Sequence, residues 1–263
     1  MKVFSTKQEF ERFFSKFGEE VCKGVELVKF EGYEKNRVLI IAPHAGIKGV
    51  KVRVDGVERE VHVGDENTHI LAKVAAWNLG SAALISYVPR DTADFARDPE
   101  MLGKELFLPL SVPTHKGRKK ILVRIHRDRR YYEALKKFHR EIEKLDPKFI
   151  LSYHGMGPRF RTDVLLGFGE GRKYIGGVKN AFKFRELVRK YEKKMGIDFT
   201  VKIAKRRLLG RCEYNLAAHV REGRFGALVE FNYRLREEFP GEDVQKLGIA
   251  VARAAEEWVK ENE

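Results

Sequence analysis

The sequence predicts an α/β fold in one domain: a mixed, mostly parallel central sheet with helices on both faces. One observation is that strand-like and helix-like segments alternate along the chain, as a parallel sheet requires when each crossover is a helix. A second is that Val38-Leu39-Ile40-Ile41-Ala42 and Phe149-Ile150-Leu151 are apolar throughout, which suits strands covered on both faces. A third is continuity. No internal repeat, low-complexity tract or Gly/Ser linker interrupts the 263 residues, so 1–263 reads as a single unit.

The elements follow in order. Residues 6–17 place Phe10, Phe13, Phe14 and Phe17 at helical spacing, a core-facing stripe. The run 38–42 is a buried strand stopping at the turn Pro43-His44-Ala45-Gly46. Residues 50–63 alternate around Asp55-Gly56, the signal of a hairpin. Residues 67–79 predict a helix stopped by Gly80, and 82–88 a strand running into Pro89-Arg90. A strand is expected over 121–126, a charged amphipathic helix over 129–145, and a short strand over 149–153 that ends at His154-Gly155-Met156-Gly157. A helix over 180–194, a strand over 227–231 enclosing Glu230, and a helix over 242–261 complete the chain.

Composition narrows the function classes. Hydrophobic residues make up 43% and charged residues 34%, too apolar for a disordered chain and too charged for a membrane protein. No stretch approaches the roughly 20 apolar residues of a spanning helix. The start, Met1-Lys2-Val3-Phe4-Ser5, leads into Lys7, Glu9, Glu11 and Arg12 and is no secretory leader, so a soluble, cytoplasmic protein is expected. Cys22 and Cys212 make neither a disulfide framework nor a zinc knuckle. Glutamine occurs only at Gln8 and Gln245 among abundant Lys, Arg and Glu, a bias of heat-adapted proteins. The net charge of +14 fits such a surface and equally suits nucleic acid or anionic substrates.

Three polar residues stand at strand ends or inside a strand: His44, His154 and Glu230. If their strands are parallel neighbours, both imidazoles reach one edge of the sheet, where ligands bind in α/β folds. Two histidines and a carboxylate form a hydrolytic zinc set whose fourth position is left for water. The carboxylate would come from Gly64-Asp65-Glu66-Asn67-Thr68, which opens a helix. An acidic pair there also suits the helix dipole without metal, and a strand-end histidine can equally be a hydrogen-bonded turn residue. Glu230, between Val229 and Phe231, is costly to bury unpaired. It faces solvent, meets a cation, or serves as an acid/base with a raised pKa.

Pro43-His44-Ala45-Gly46 resembles the Pro-His-Ser-Gly motif of the N-formylglutamate amidohydrolase family, zinc hydrolases with a carboxypeptidase-like α/β fold. Further pieces follow in that family's order: Asp65-Glu66, Gly80-Ser81-Ala82, the segment Pro89-Arg90-Asp91-Thr92-Ala93-Asp94-Phe95-Ala96-Arg97, His154-Gly155-Met156, and Asn215 before Ala217-Ala218. The resemblance spans roughly 38–234. Counting back from Gly80, it sets Glu66 rather than Asp65 on the family's metal-binding acid, and Glu230 on its general base. The family's serine, asparagine and aspartate at three motif positions are here Ala45, Ala96 and Ser152, so the substrate shell differs.

The resemblance implies a metal-dependent amidohydrolase acting on an N-acyl amino acid or short peptide. One Zn²⁺ per chain would be held by His44, Glu66 and His154, with Glu230 as general base and Arg90 stabilising the oxyanion. Arg97 would grip a substrate carboxylate and Asn215 would line the substrate site. A structural salt bridge with Asp94 or Asp98 is the competing role for both arginines. His62 and His69 flank the acidic pair as alternative ligands, while His115, His126 and His219 read as surface. Cys212 lacks a paired histidine and is no nucleophile. The competing function is nucleic-acid binding through Lys116–Lys120, Arg127–Tyr132 and Lys205–Arg207; a third possibility is a hydrolase fold without turnover.

Overall fold

A computed structural model describes residues 1–114, 117–205 and 213–263. The strands are β1 (Glu19–Cys22), β2 (Val25–Lys29), β3 (Val38–Ala42), β4 (Gly49–Val54), β5 (Val57–His62), β6 (Ala82–Ser86), β7 (Leu106–Thr114), β8 (Gly117–Ile125), β9 (Phe149–Met156), β10 (Val164–Gly167), β11 (Val201–Ile203) and β12 (Phe225–Asn232). The helices are α1 (Lys7–Phe14), α2 (Thr68–Leu79), α3 (Tyr132–Leu145), α4 (Val178–Lys194), α5 (Tyr214–His219) and α6 (Glu242–Asn262).

Eight strands form one mixed sheet in the order β1-β2-β6-β3-β9-β12-β10-β11. Its centre, β6-β3-β9-β12, is parallel throughout, and the antiparallel pairings lie toward the flanks. The expected fold class therefore holds. Side chains alternate across the pleat: Ile40, Leu151 and Val229 meet α1, α2, α4 and α6 through Phe10, Leu71, Phe184 and Trp258. Leu39, Ile41, Ile150 and Leu228 meet α3 and α5 on the other face through Leu135, Phe138, Ile142 and Leu216. The phenylalanine stripe of α1 does face this core, with Phe13 packed edge-on to Trp77 at 4.8 Å between centroids.

Two hairpins, β4–β5 and β7–β8, stand outside the sheet. The first is the one announced by Asp55-Gly56. In the second, β7 escaped the sequence reading because Pro109 and Pro113 lie within it; a two-stranded ribbon accommodates them by leaving one edge unpaired. Strand β9 also runs past Tyr153, so His154 sits inside the strand rather than beyond its end.

Candidate metal centre

Strands β3, β9 and β12 are parallel neighbours. His44 follows β3 by two residues, and Glu230 lies directly opposite His154 in register. The sheet thus brings all three together at one edge. The acidic residue arrives on the loop before α2, whose backbone docks on the turn after β3: the Asp65 amide donates to the His44 carbonyl at 2.7 Å. Glycines permit this approach. A Cβ on Gly64 would lie 2.2 Å from the Gly46 carbonyl oxygen, which is backbone and cannot rotate away. Gly64→Ala is accordingly expected to cost about 1–3 kcal/mol by overpacking and to part His44 from Asp65. Thermal denaturation beside a metal-binding assay checks both effects.

His44 Nδ1 lies 3.1 Å and His154 Nδ1 3.2 Å from the same oxygen, Asp65 Oδ2. One donor atom from each residue falls within 4.8 Å of the others, and all three residues are buried. The far nitrogen of each ring is also held by a carboxylate: His44 Nε2 by Asp94 at 2.6 Å, His154 Nε2 by Glu213 at 3.0 Å. A carboxylate behind an imidazole takes its outer N–H and turns the inner nitrogen's lone pair toward a metal. The set fits a cation: three buried carboxylates surround two imidazoles. Burial alone would raise Asp65, but the hydrogen bonds from His154 and His44 hold it well below the usual carboxylate range. Burial would likewise lower His154, yet Glu213 and Asp65 raise the imidazole to about 10.

The expected acid changes here. Glu66 turns away from the cluster and places Oε1 2.8 Å from Nδ1 of the exposed His62. Asp65 is the residue docked on the His44 carbonyl, so its side chain, not the next one, projects between the imidazoles.

Glu230 is buried and its Oε2 has no hydrogen-bond partner among the described residues. Burial pushes its carboxyl up to about 7, with His154 the strongest opposing influence. Arg90 Nε donates to Asp94 Oδ2 at 2.9 Å, and Arg97 Nε lies 3.5 Å from that oxygen, so Asp94 joins both arginines to His44. Asn215 is fully buried and donates to Glu213 at 2.9 Å; it stands behind the cluster.

A cleft of about 810 Å³ opens over Asp65 and Arg90, bounded by β5 and β7 and lined also by Arg59, Arg159, Tyr233 and Arg236. Of the expected site residues, Glu66 and Arg90 line this cleft, whereas His44, His154, Glu230, Arg97 and Asn215 do not. The sequence reading missed Arg236, a buried guanidinium that bonds the carbonyls of Phe231 and Glu66, each at 3.2 Å. Gly155 makes room for it, since a Cβ there would lie 2.0 Å from its Cζ. Glu213 was missed too; its one signal was an acidic residue beside Asn215.

The remaining polar residues fall elsewhere. His69 is packed against Phe10 and Tyr87, and burial lowers it to about 3. His126, expected at the surface, is buried and accepts from the Asp94 amide at 2.9 Å. His219, also expected there, is buried against His139. Cys212, His115, Lys116, Arg206 and Arg207 lie outside the described residues. Several cations of the basic clusters are paired: Lys119 with Asp55, Arg127 with Asp91 and Arg130 with Asp128. No helix among the described residues is long and apolar enough to cross a membrane.

No protein-family model and no curated protein sequence matches the chain. Solved structures do. An N-formylglutamate amidohydrolase from Ralstonia eutropha superimposes with a TM-score of 0.56 at 18% identity, covering 92% of this chain and 100% of that one. A gene product of Agrobacterium tumefaciens gives 0.53 at 13%, covering 94% and 97%. A metallo-carboxypeptidase from Burkholderia cenocepacia gives 0.50 at 13%, covering 97% and 69%. At these identities the likeness is one of fold, and it is the fold that the motif resemblance implied.

Proposed function

We propose that this chain is a metal-dependent amidohydrolase that cleaves the amide bond of an N-acyl amino acid or short peptide. It would hold one zinc ion through His44, Asp65 and His154. The observation that carries the reading is the buried pair of imidazoles turned toward one carboxylate oxygen, each backed by a carboxylate of its own. When bound, zinc lowers the pKa of water to about 7 and polarises a carbonyl.

The chain's own residues supply the rest. Glu230, whose Oε2 has no hydrogen-bond partner among the described residues and whose carboxyl is raised by burial, takes the proton of the attacking water and delivers it to the departing amine nitrogen. Arg90, steadied by Asp94, faces the cleft and stabilises the negative oxygen of the tetrahedral intermediate. A substrate carboxylate finds planar donors in Arg59, Arg159 and Arg236 along the cleft. Arg97 supports Asp94 instead.

The test is the metal content of purified protein beside that of His44→Ala, followed by a hydrolysis screen of N-acyl amino acids. About one zinc per chain, lost in the variant, with release of a free amino acid, supports the reading. Wild-type protein that takes no metal when zinc is offered overturns it.

A further inference from the structure

Glu213 reaches the cluster from far along the chain, 61 residues beyond Ser152. Its Oε2 lies 3.0 Å from His154 Nε2. Its Oε1 accepts from Ser152 Oγ at 3.0 Å and from Asn215 Nδ2 at 2.9 Å. Ser152 and His154, two residues apart on β9, share one face of the strand, and Ser152 Oγ stands 2.9 Å from that same Nε2. A hydroxyl therefore occupies the place from which the strand itself could offer a carboxylate.

We infer that Glu213 is the positioning residue of His154, accepting the Nε2–H hydrogen bond in place of a carboxylate at position 152 and leaving Nδ1 to Asp65 and the metal. Three donors converge on it: the imidazole N–H, the serine O–H and the Asn215 amide. They hold the carboxylate ionised and fix its direction. Asn215 acquires its role through the same carboxylate. The arrangement repeats on His44, whose Nε2 is held by Asp94 at 2.6 Å. Only the metal arm of the following test rests on the proposed function.

The experiment compares wild type, Glu213→Ala, Glu213→Gln and the double variant Ser152→Asp/Glu213→Ala, in which the deletion clears space for the new carboxylate. The first readout is the His154 Nε2 proton in metal-free, ¹⁵N-histidine-labelled protein, assigned by its loss in His154→Asn. The wild type is expected to show a far-downfield, slowly exchanging resonance that vanishes in Glu213→Ala and returns in the double variant. The second readout is zinc affinity, expected to fall about 10–100-fold, the range for outer-shell partners, and to recover in the double variant. Should Glu213→Ala fail to fold, Glu213→Gln carries the test, with an upfield move of the resonance expected. An unchanged resonance in the single variants, or no recovery in a folded double variant, overturns the inference. If wild-type protein takes no zinc, the hydrolase reading falls while the proton resonance still decides the role of Glu213.

Discussion

Asp65→Asn is expected to release the metal, whereas Glu66→Gln is expected to keep it. Asp65 Oδ2 is the point on which both inner nitrogens converge, at 3.1 and 3.2 Å. Its replacement by a neutral amide removes the one anionic donor of the set. The loss should exceed the 10–100-fold in affinity typical of an outer-shell partner, because a ligand itself is altered. Glu66, in contrast, uses its carboxylate on exposed His62, and its contribution to the cleft floor is the backbone carbonyl that receives Arg236. That carbonyl survives the substitution. Zinc stoichiometry and competition with a chromophoric chelator separate the two variants. Melting gives an independent check. Zinc at 1,000 times its Kd stabilises a protein by about 4 kcal/mol, so added zinc should raise the Tm of wild type and Glu66→Gln and leave Asp65→Asn unmoved. The reverse pattern would return the ligand role to Glu66.

The neighbouring carboxylates show where sequence legibility stops. His44 and His154 could be placed together because each follows an apolar run, and a parallel sheet delivers such residues to one edge; Glu230 joined them only through the motif resemblance. The register opposite His154 confirms how directly strand position sets their meeting. Asp65 and Glu66 could not be told apart in this way. The choice between them is made by one backbone hydrogen bond, from the Asp65 amide to the His44 carbonyl, and by glycines that let two loops touch. Neither leaves a periodic trace. Asp94 and Glu213 were harder still, since each acts on a histidine many residues distant through tertiary contact alone. Asn215 was singled out by motif, and its placement against Glu213 follows only from the fold around α5. The cleft walls were half legible: Asp55-Gly56 announced β4–β5, while prolines concealed β7.

Glu230→Gln is expected to retain zinc and lose about 10²–10⁴-fold in kcat, the usual contribution of a general base. The change is nearly isosteric and removes only the ability to accept a proton. Glu230 is not one of the three converging ligands, so loading should be unaffected. The pH profile carries the sharper prediction. A base works in its deprotonated form, so wild-type kcat/KM should rise with pH through the carboxyl's own pKa and then level. Burial sets that pKa at about 7 in the metal-free site, and a bound cation beside it shifts the limb toward lower pH by favouring the carboxylate. In Glu230→Gln the limb should disappear rather than move, leaving residual turnover flat across the same range. The same carboxyl also affects stability. Its folded pKa lies above the ordinary value, so the protonated form is favoured on folding, and stability from this group is fully present below pH 4.5 and lost as pH rises from there through about 7. Metal-free Glu230→Gln, uncharged at every pH, should therefore melt higher than metal-free wild type above pH 7 and similarly to it below pH 4.5. A variant that kept full turnover on a cleaved substrate would remove Glu230 from the chemistry. One that lost turnover, gained no alkaline stability and kept the acid limb would place the residue outside the proton path while still needed for the site's shape.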